Sequence, residues 1–119
     1  MGKKEILRTA ETEFPVILQL NPKRLTNSGQ LFTTQKFIDL KKLKRALSGD
    51  FQDSSLPKAY YWQERKAIVL GDGNHRTAVA YLRNEEINVE IIGLFDGKKI
   101  AIPFNVFIRK HLSGMGLEY

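Results

Sequence analysis

Residues 67–82 constrain this chain more than any other stretch, because the spacing of apolar residues changes there across a short glycine-rich break. Ala67-Ile68-Val69-Leu70 is a short apolar run with β-branched members, the pattern of a buried strand. Gly71-Asp72-Gly73-Asn74 follows, dense in residues that tolerate turns and positive φ, so the strand is expected to stop at Leu70. Beyond the break Ala78, Val79 and Leu82 recur at helical spacing. The expectation is strand, tight turn, helix.

A turn of this kind aims backbone N–H groups outward at a helix N-terminus, where the dipole favours anions, and glycines admit a bulky oxyanion close to the backbone. Arg76 adds a fixed charge on a planar fork suited to phosphate or carboxylate. On a helix starting here, Arg76, Ala80 and Arg83 share one face, while His75, Ala78, Val79 and Leu82 share another. Each residue also has a purely structural reading. The glycines serve the turn, Asp72 or Asn74 caps the helix for about 1 kcal/mol with Asn74 the better placed, His75 is a hydrogen-bonded core histidine, and Arg76 pairs with a nearby acid. The Gly-x-Gly-x-x-Arg spacing lacks the last glycine of a dinucleotide fingerprint and the Lys-Ser/Thr of a P-loop.

Pro57-Lys58-Ala59-Tyr60-Tyr61-Trp62, the charged turn Gln63-Glu64-Arg65-Lys66, the run from Ala67 through Gly71-Asp72-Gly73-Asn74-His75-Arg76-Thr77 to Ala80, and Val89-Glu90-Ile91-Ile92 together resemble the core of the ParB/sulfiredoxin superfamily. There a strand, a Gly-Asp/Glu-x-x-His/Arg-Arg turn and a helix carrying small residues form a phosphate-binding box. The version here is similar to the Asp-Gly-His-His-Arg box of ParB-like free serine kinases and to ParB-like nuclease domains. The resemblance implies that Gly71, Gly73, Asn74, His75, Arg76 and Thr77 bind phosphate or nucleotide, with Asp72, His75 and Arg76 as catalytic candidates. It also implies Asp72 as a base or a ligand for Mg²⁺ carried with a nucleotide such as ATP or CTP. Glu85-Glu86 followed by Ile87 does not reproduce the Glu-Asn-containing motif of segregation ParB proteins, which argues against centromere binding.

At 119 residues with 42% hydrophobic content the chain is expected to be one domain: an arm over 1–13, a ParB-like domain over 14–112 and a tail over 113–119. It has no cysteine, which excludes disulfides, cysteine-ligated zinc and the catalytic thiol of the sulfiredoxin branch. The net charge of +6 favours anionic partners such as nucleic acid or nucleotides. No segment approaches the roughly 20 apolar residues of a membrane span, so a cytoplasmic protein is expected, with a homodimer left open.

Elsewhere, Phe14-Pro15-Val16-Ile17-Leu18-Gln19-Leu20 reads as the first strand, ended by Asn21-Pro22, with a loop over 26–30. Thr33 or Thr34 then caps an expected helix over 35–47 whose apolar face is Phe37, Leu40, Leu43 and Leu47. Lys36, Lys41, Lys42, Lys44 and Arg45 make it the most cationic element, read either as a solvated face or as a nucleic-acid contact. Tyr60 and Trp62 alternate with Tyr61, so at least one of the three is expected in the core. Asp96-Gly97 signals a hairpin that returns over 98–102, and Phe104, Phe107, Ile108 and Leu112 a final helix. Arg109, Lys110 and His111 fall near its end, His111 as a structural residue.

The expected class is α/β or α+β, a mixed sheet with packed helices. Two functions fit it: phosphate binding at the box, extending to phosphoryl transfer, NTP hydrolysis or nuclease activity, and a non-catalytic module that grips DNA, RNA or a partner through the basic helix.

Overall fold

The computed structural model describes residues 14–35 and 56–108. Strands β1 (Val16–Leu20), β2 (Leu31–Thr33), β3 (Lys58–Trp62), β4 (Ala67–Asp72), β5 (Ile87–Leu94) and β6 (Ile102–Pro103) form one sheet in the order β1-β5-β3-β4-β2-β6. The sheet is mixed: β5 and β3 run parallel, as do β4 and β2, and the other neighbours are antiparallel. Helices α1 (Pro22–Asn27), α2 (Asn74–Arg83) and α3 (104–108) complete the expected α+β class.

Alternation along the strands divides the sheet into two unequal faces. Ala59 and Tyr61 of β3, Ile68 and Leu70 of β4 and Val89 and Ile91 of β5 are fully buried on one face. They share a cluster with Leu25 of α1, Ala78 and Tyr81 of α2, and Phe104, Phe107 and Ile108 of α3. Among the described residues the other face has a small cluster, Phe32, Ala67 and Val69, with Trp62, Phe95 and Ala101 packed against it. Ile17, Ile92 and Leu94 are exposed.

Three sequence expectations change, and a fourth falls on residues that are not described. Asn21-Pro22 does more than end β1. Asn21 is the N-cap of α1, its side chain accepting from Arg24 N, and Pro22 occupies the first helical turn, where its missing N–H costs nothing. The segment expected to lead directly into a helix instead forms β2, which lies parallel to β4 and is buried throughout. The expected helix over 35–47 lies almost wholly outside the described residues. Finally, Asp96-Gly97 does turn, with Gly97 at φ 77 and Asp96 Oδ1 accepting from Lys98 N, but no hairpin follows. β5 already has β1 and β3 on its two sides, so the returning chain crosses the sheet and pairs as β6 with β2 at the far edge.

Candidate functional site

The strand does not stop at Leu70. It runs on to Asp72 through a bulge: Ala59 faces Leu70 and Lys58 faces Asp72, leaving Gly71 as an extra residue in β4. A bulge re-aims the side chain that follows it. Val69 and Gly71 belong to the open face by alternation, and the extra residue turns Asp72 toward that face as well. There Asp72 and Lys58 line a cavity together.

Gly73 then reverses the chain. It is the N-cap residue of α2 with φ 78, and a Cβ built on it would lie 2.6 Å from Pro57 Cα. Both the backbone conformation and the space exclude any other residue. The side from which that Cβ would project is therefore filled by Pro57, and at Gly71 the corresponding side meets Tyr60 Cε2 at 3.1 Å. A ligand reaches this backbone only from the remaining directions.

Asn74, expected as the cap, is instead 1% exposed and points into the protein. Its Oδ1 accepts from the Thr33 hydroxyl, its Nδ2 donates to Gln35 Oε1 at 2.9 Å, and Gln35 N donates to Thr33 Oγ1 at 3.1 Å. Thr77, also buried, donates its hydroxyl to Gly73 O at 2.9 Å. The buried residues of α2 are Asn74, Thr77, Ala78, Val79, Ala80 and Tyr81, of which Asn74, Thr77, Ala78 and Tyr81 are spaced i, i+3, i+4 and i+7. Of the expected apolar face, Ala78 and Val79 are in the core and Leu82 packs against it, while His75 is half-buried; the apolar pattern missed Asn74 and Thr77 because these buried positions of the first turn carry polar residues. These pack there because each has a partner; among the described residues no buried side-chain nitrogen or oxygen lacks one. The amide of Asn74 and the hydroxyl of Thr77 hold the turn to β2 and to itself.

His75 and Arg76 are half-buried in the first turn of α2, and Asp72 is exposed, its Oδ1 accepting from Gly73 N at 2.8 Å. The first N–H groups of a helix have no acceptor within it and carry about half a positive charge in sum. Asp72, His75 and Arg76 are therefore the sequence candidates that the fold brings to one turn with side chains directed away from the deepest core. Lys36, Lys41, Lys42, Lys44 and Arg45 lie outside the described residues.

The cavity beside this turn has a volume of about 360 Å³. Lys58, Tyr60, Gly71 and Asp72 form one wall, Ile92 and Leu94 of β5 another, and Asp96, Lys98 and Lys99 rise from the loop after β5. Three lysines and two aspartates are thus among its lining residues. Lys58 Nζ also lies 4.0 Å from Glu90 Oε1. Sequence reasoning did not assemble this group. The Lys58-x-Tyr60 alternation was available to it, but Lys98 and Lys99 arrive only because the chain after β5 crosses the sheet.

The three consecutive aromatics have three different surroundings. Tyr61 is in the main core at 1% exposure. Trp62 is held edge-on by Phe32 and Phe95, with ring centroids at 5.3 and 4.9 Å, and the Arg65 guanidinium lies 4.8 Å from its ring. Tyr60 borders the cavity. Among the described residues no three His, Cys, Asp or Glu side chains gather to hold a metal ion.

No protein-family model, no curated protein and no solved structure matches this chain. Among the described residues no helix is long and apolar enough to cross a membrane.

Proposed function

We propose that this chain is a ParB-like domain that binds the phosphates of a nucleotide or nucleic acid at the β4–α2 turn. The single observation that carries the reading is the bulge at Gly71, which turns Asp72 and Lys58 onto the lysine-bearing cavity directly before the N-terminus of α2. Lys58 lines the cavity, the helix dipole adds positive charge at the turn, and Arg76 in the first turn of α2 is the further cation that a phosphate there would use. Asp72 opposes such binding. A carboxylate beside a phosphate is unfavourable unless a cation offsets the repulsion; Asp72 is the residue that would hold Mg²⁺ here, and the ion would supply charge neutralisation. Phosphoryl transfer, NTP hydrolysis and phosphodiester cleavage all suit such a site, since they need mainly positioning and charge stabilisation. His75, one residue before Arg76, is the candidate to move a proton.

Thermal melting with ATP, ADP, CTP and GTP, each with and without Mg²⁺, tests the reading. A ligand at ~100 times its dissociation constant adds about 2.7 kcal/mol of stability. Wild type is expected to be stabilised by at least one nucleotide with Mg²⁺, Arg76→Ala by none, and Asp72→Asn equally with and without the metal. No stabilisation of wild type by any nucleotide would overturn the nucleotide form of the proposal.

A further inference from the structure

We infer that the cavity on the open sheet face holds the base of a mononucleotide against the Tyr60 ring, beside a slot that Gly93 keeps empty; this rests on phosphate binding at the neighbouring turn. Tyr60 sits on the central strand β3 with a glycine on each flanking strand. On β4 the glycine is Gly71, where a Cβ would press on Tyr60 Cε2 at 3.1 Å. On β5 it is Gly93, which stands opposite Tyr60 because the register passes from Ala59–Ile91 to Tyr60–Gly93 and skips Ile92. Neither glycine has positive φ, so backbone conformation requires neither. Glycine weakens a strand interior and marks a place where something else comes close.

At Gly71 that something is the tyrosine ring. At Gly93, the register partner of Tyr60, a Cβ would meet nothing within 4 Å among the described residues, so that position is open. The half-buried ring borders a cavity of about 360 Å³, within the range of small-molecule sites and suited to one nucleoside rather than a strand of several. Ile92 and Leu94 give that cavity apolar surface, and Gly71 and Asp72 join it to the turn. A base stacked on Tyr60 therefore has its phosphates within the reach of Lys58 and of the helix start. Tyr61 offers no such platform because its ring is buried, and the partly buried Trp62 ring is already held by Phe32, Phe95 and Arg65.

Isothermal titration with CTP, ATP, GTP and UTP, and with tripolyphosphate, which has the charges but no ring, tests this in wild type, Gly93→Leu, Tyr60→Leu and Tyr60→Phe, all with Mg²⁺. Wild type is expected to bind at least one nucleoside triphosphate about tenfold or more tightly than tripolyphosphate, the size of one base stacking on an aromatic ring. Gly93→Leu fills the slot without a clash and Tyr60→Leu removes the ring, so each binds the two ligands equally, while Tyr60→Phe keeps the preference. Tripolyphosphate binding stays the same in all four. Equal binding of nucleotide and tripolyphosphate by wild type, or an undiminished preference in Gly93→Leu, would overturn the inference and leave the phosphate site standing. Failure of both ligands to bind wild type would overturn both.

Discussion

The two faces of the sheet use the same strands for opposite purposes. On the helix-covered face, Tyr61, Ile68, Leu70 and Ile91 are closed in by α1, α2 and α3, and the polar residues admitted there, Asn74 and Thr77, have their side chains bonded internally. On the other face Tyr60, next to Tyr61, borders a cavity that Lys58 and, from the loop after β5, Lys98 and Lys99 also line, and at Gly93 a Cβ would meet nothing among the described residues. If the proposed site binds its ligand, stability and recognition belong to opposite faces of the same strands, so substitutions at adjacent positions such as Tyr60 and Tyr61 should have unrelated effects.

The largest effect is expected from the closed face. Phe104→Ala empties a fully buried ring position and should cost about 3 to 5 kcal/mol in chemical denaturation. Gly73→Ala comes next, at about 2 to 5 kcal/mol, from a left-handed backbone conformation and the 2.6 Å approach to Pro57 together. Gly93→Ala, in open space, should change stability by less than about 0.5 kcal/mol. Equal losses at the two glycines would break the comparison. Asn74→Ala leaves the Thr33 hydroxyl without its acceptor and should cost about 1 to 3 kcal/mol.

On the open face the stability changes shrink and the ligand effects begin. Tyr60→Leu should cost about 1 kcal/mol, the scale of a cross-strand contact, and Lys58→Ala less than about 0.5 kcal/mol, since its pairing with Glu90 is long and solvent-exposed. Lys58→Ala should nonetheless weaken nucleotide binding in titration calorimetry. A Lys58 variant that loses stability but not affinity would reverse the assignment of the two faces.

Much of this arrangement was legible in the residues. The apolar run over 67–70, the glycine-rich break and the small residues of α2 located the strand, turn and helix, and the alternation over 59–62 separated Tyr61 from its neighbours. What could not be read depended on non-local pairing. The bulge at Gly71 exists because Lys58, thirteen positions earlier, pairs with Asp72 rather than with Gly71. β2 is too short to show a period and becomes a strand by lying along β4. Asn74 looked like a cap because capping is a local role, whereas its partners Thr33 and Gln35 are about forty residues away. The hairpin at Asp96-Gly97 was read from a correct local turn, and it failed because both sides of β5 were already occupied.

The most direct measurement is an amide NMR titration of the full chain with CTP and with ATP in the presence of Mg²⁺. Phosphate binding at the β4–α2 turn predicts that the largest shifts for at least one of the two fall on Gly71, Asp72, Gly73, His75 and Arg76, extending across β3 to Lys58 and Tyr60. Shifts that leave these residues unmoved, whether absent altogether or confined to other parts of the chain, would contradict it.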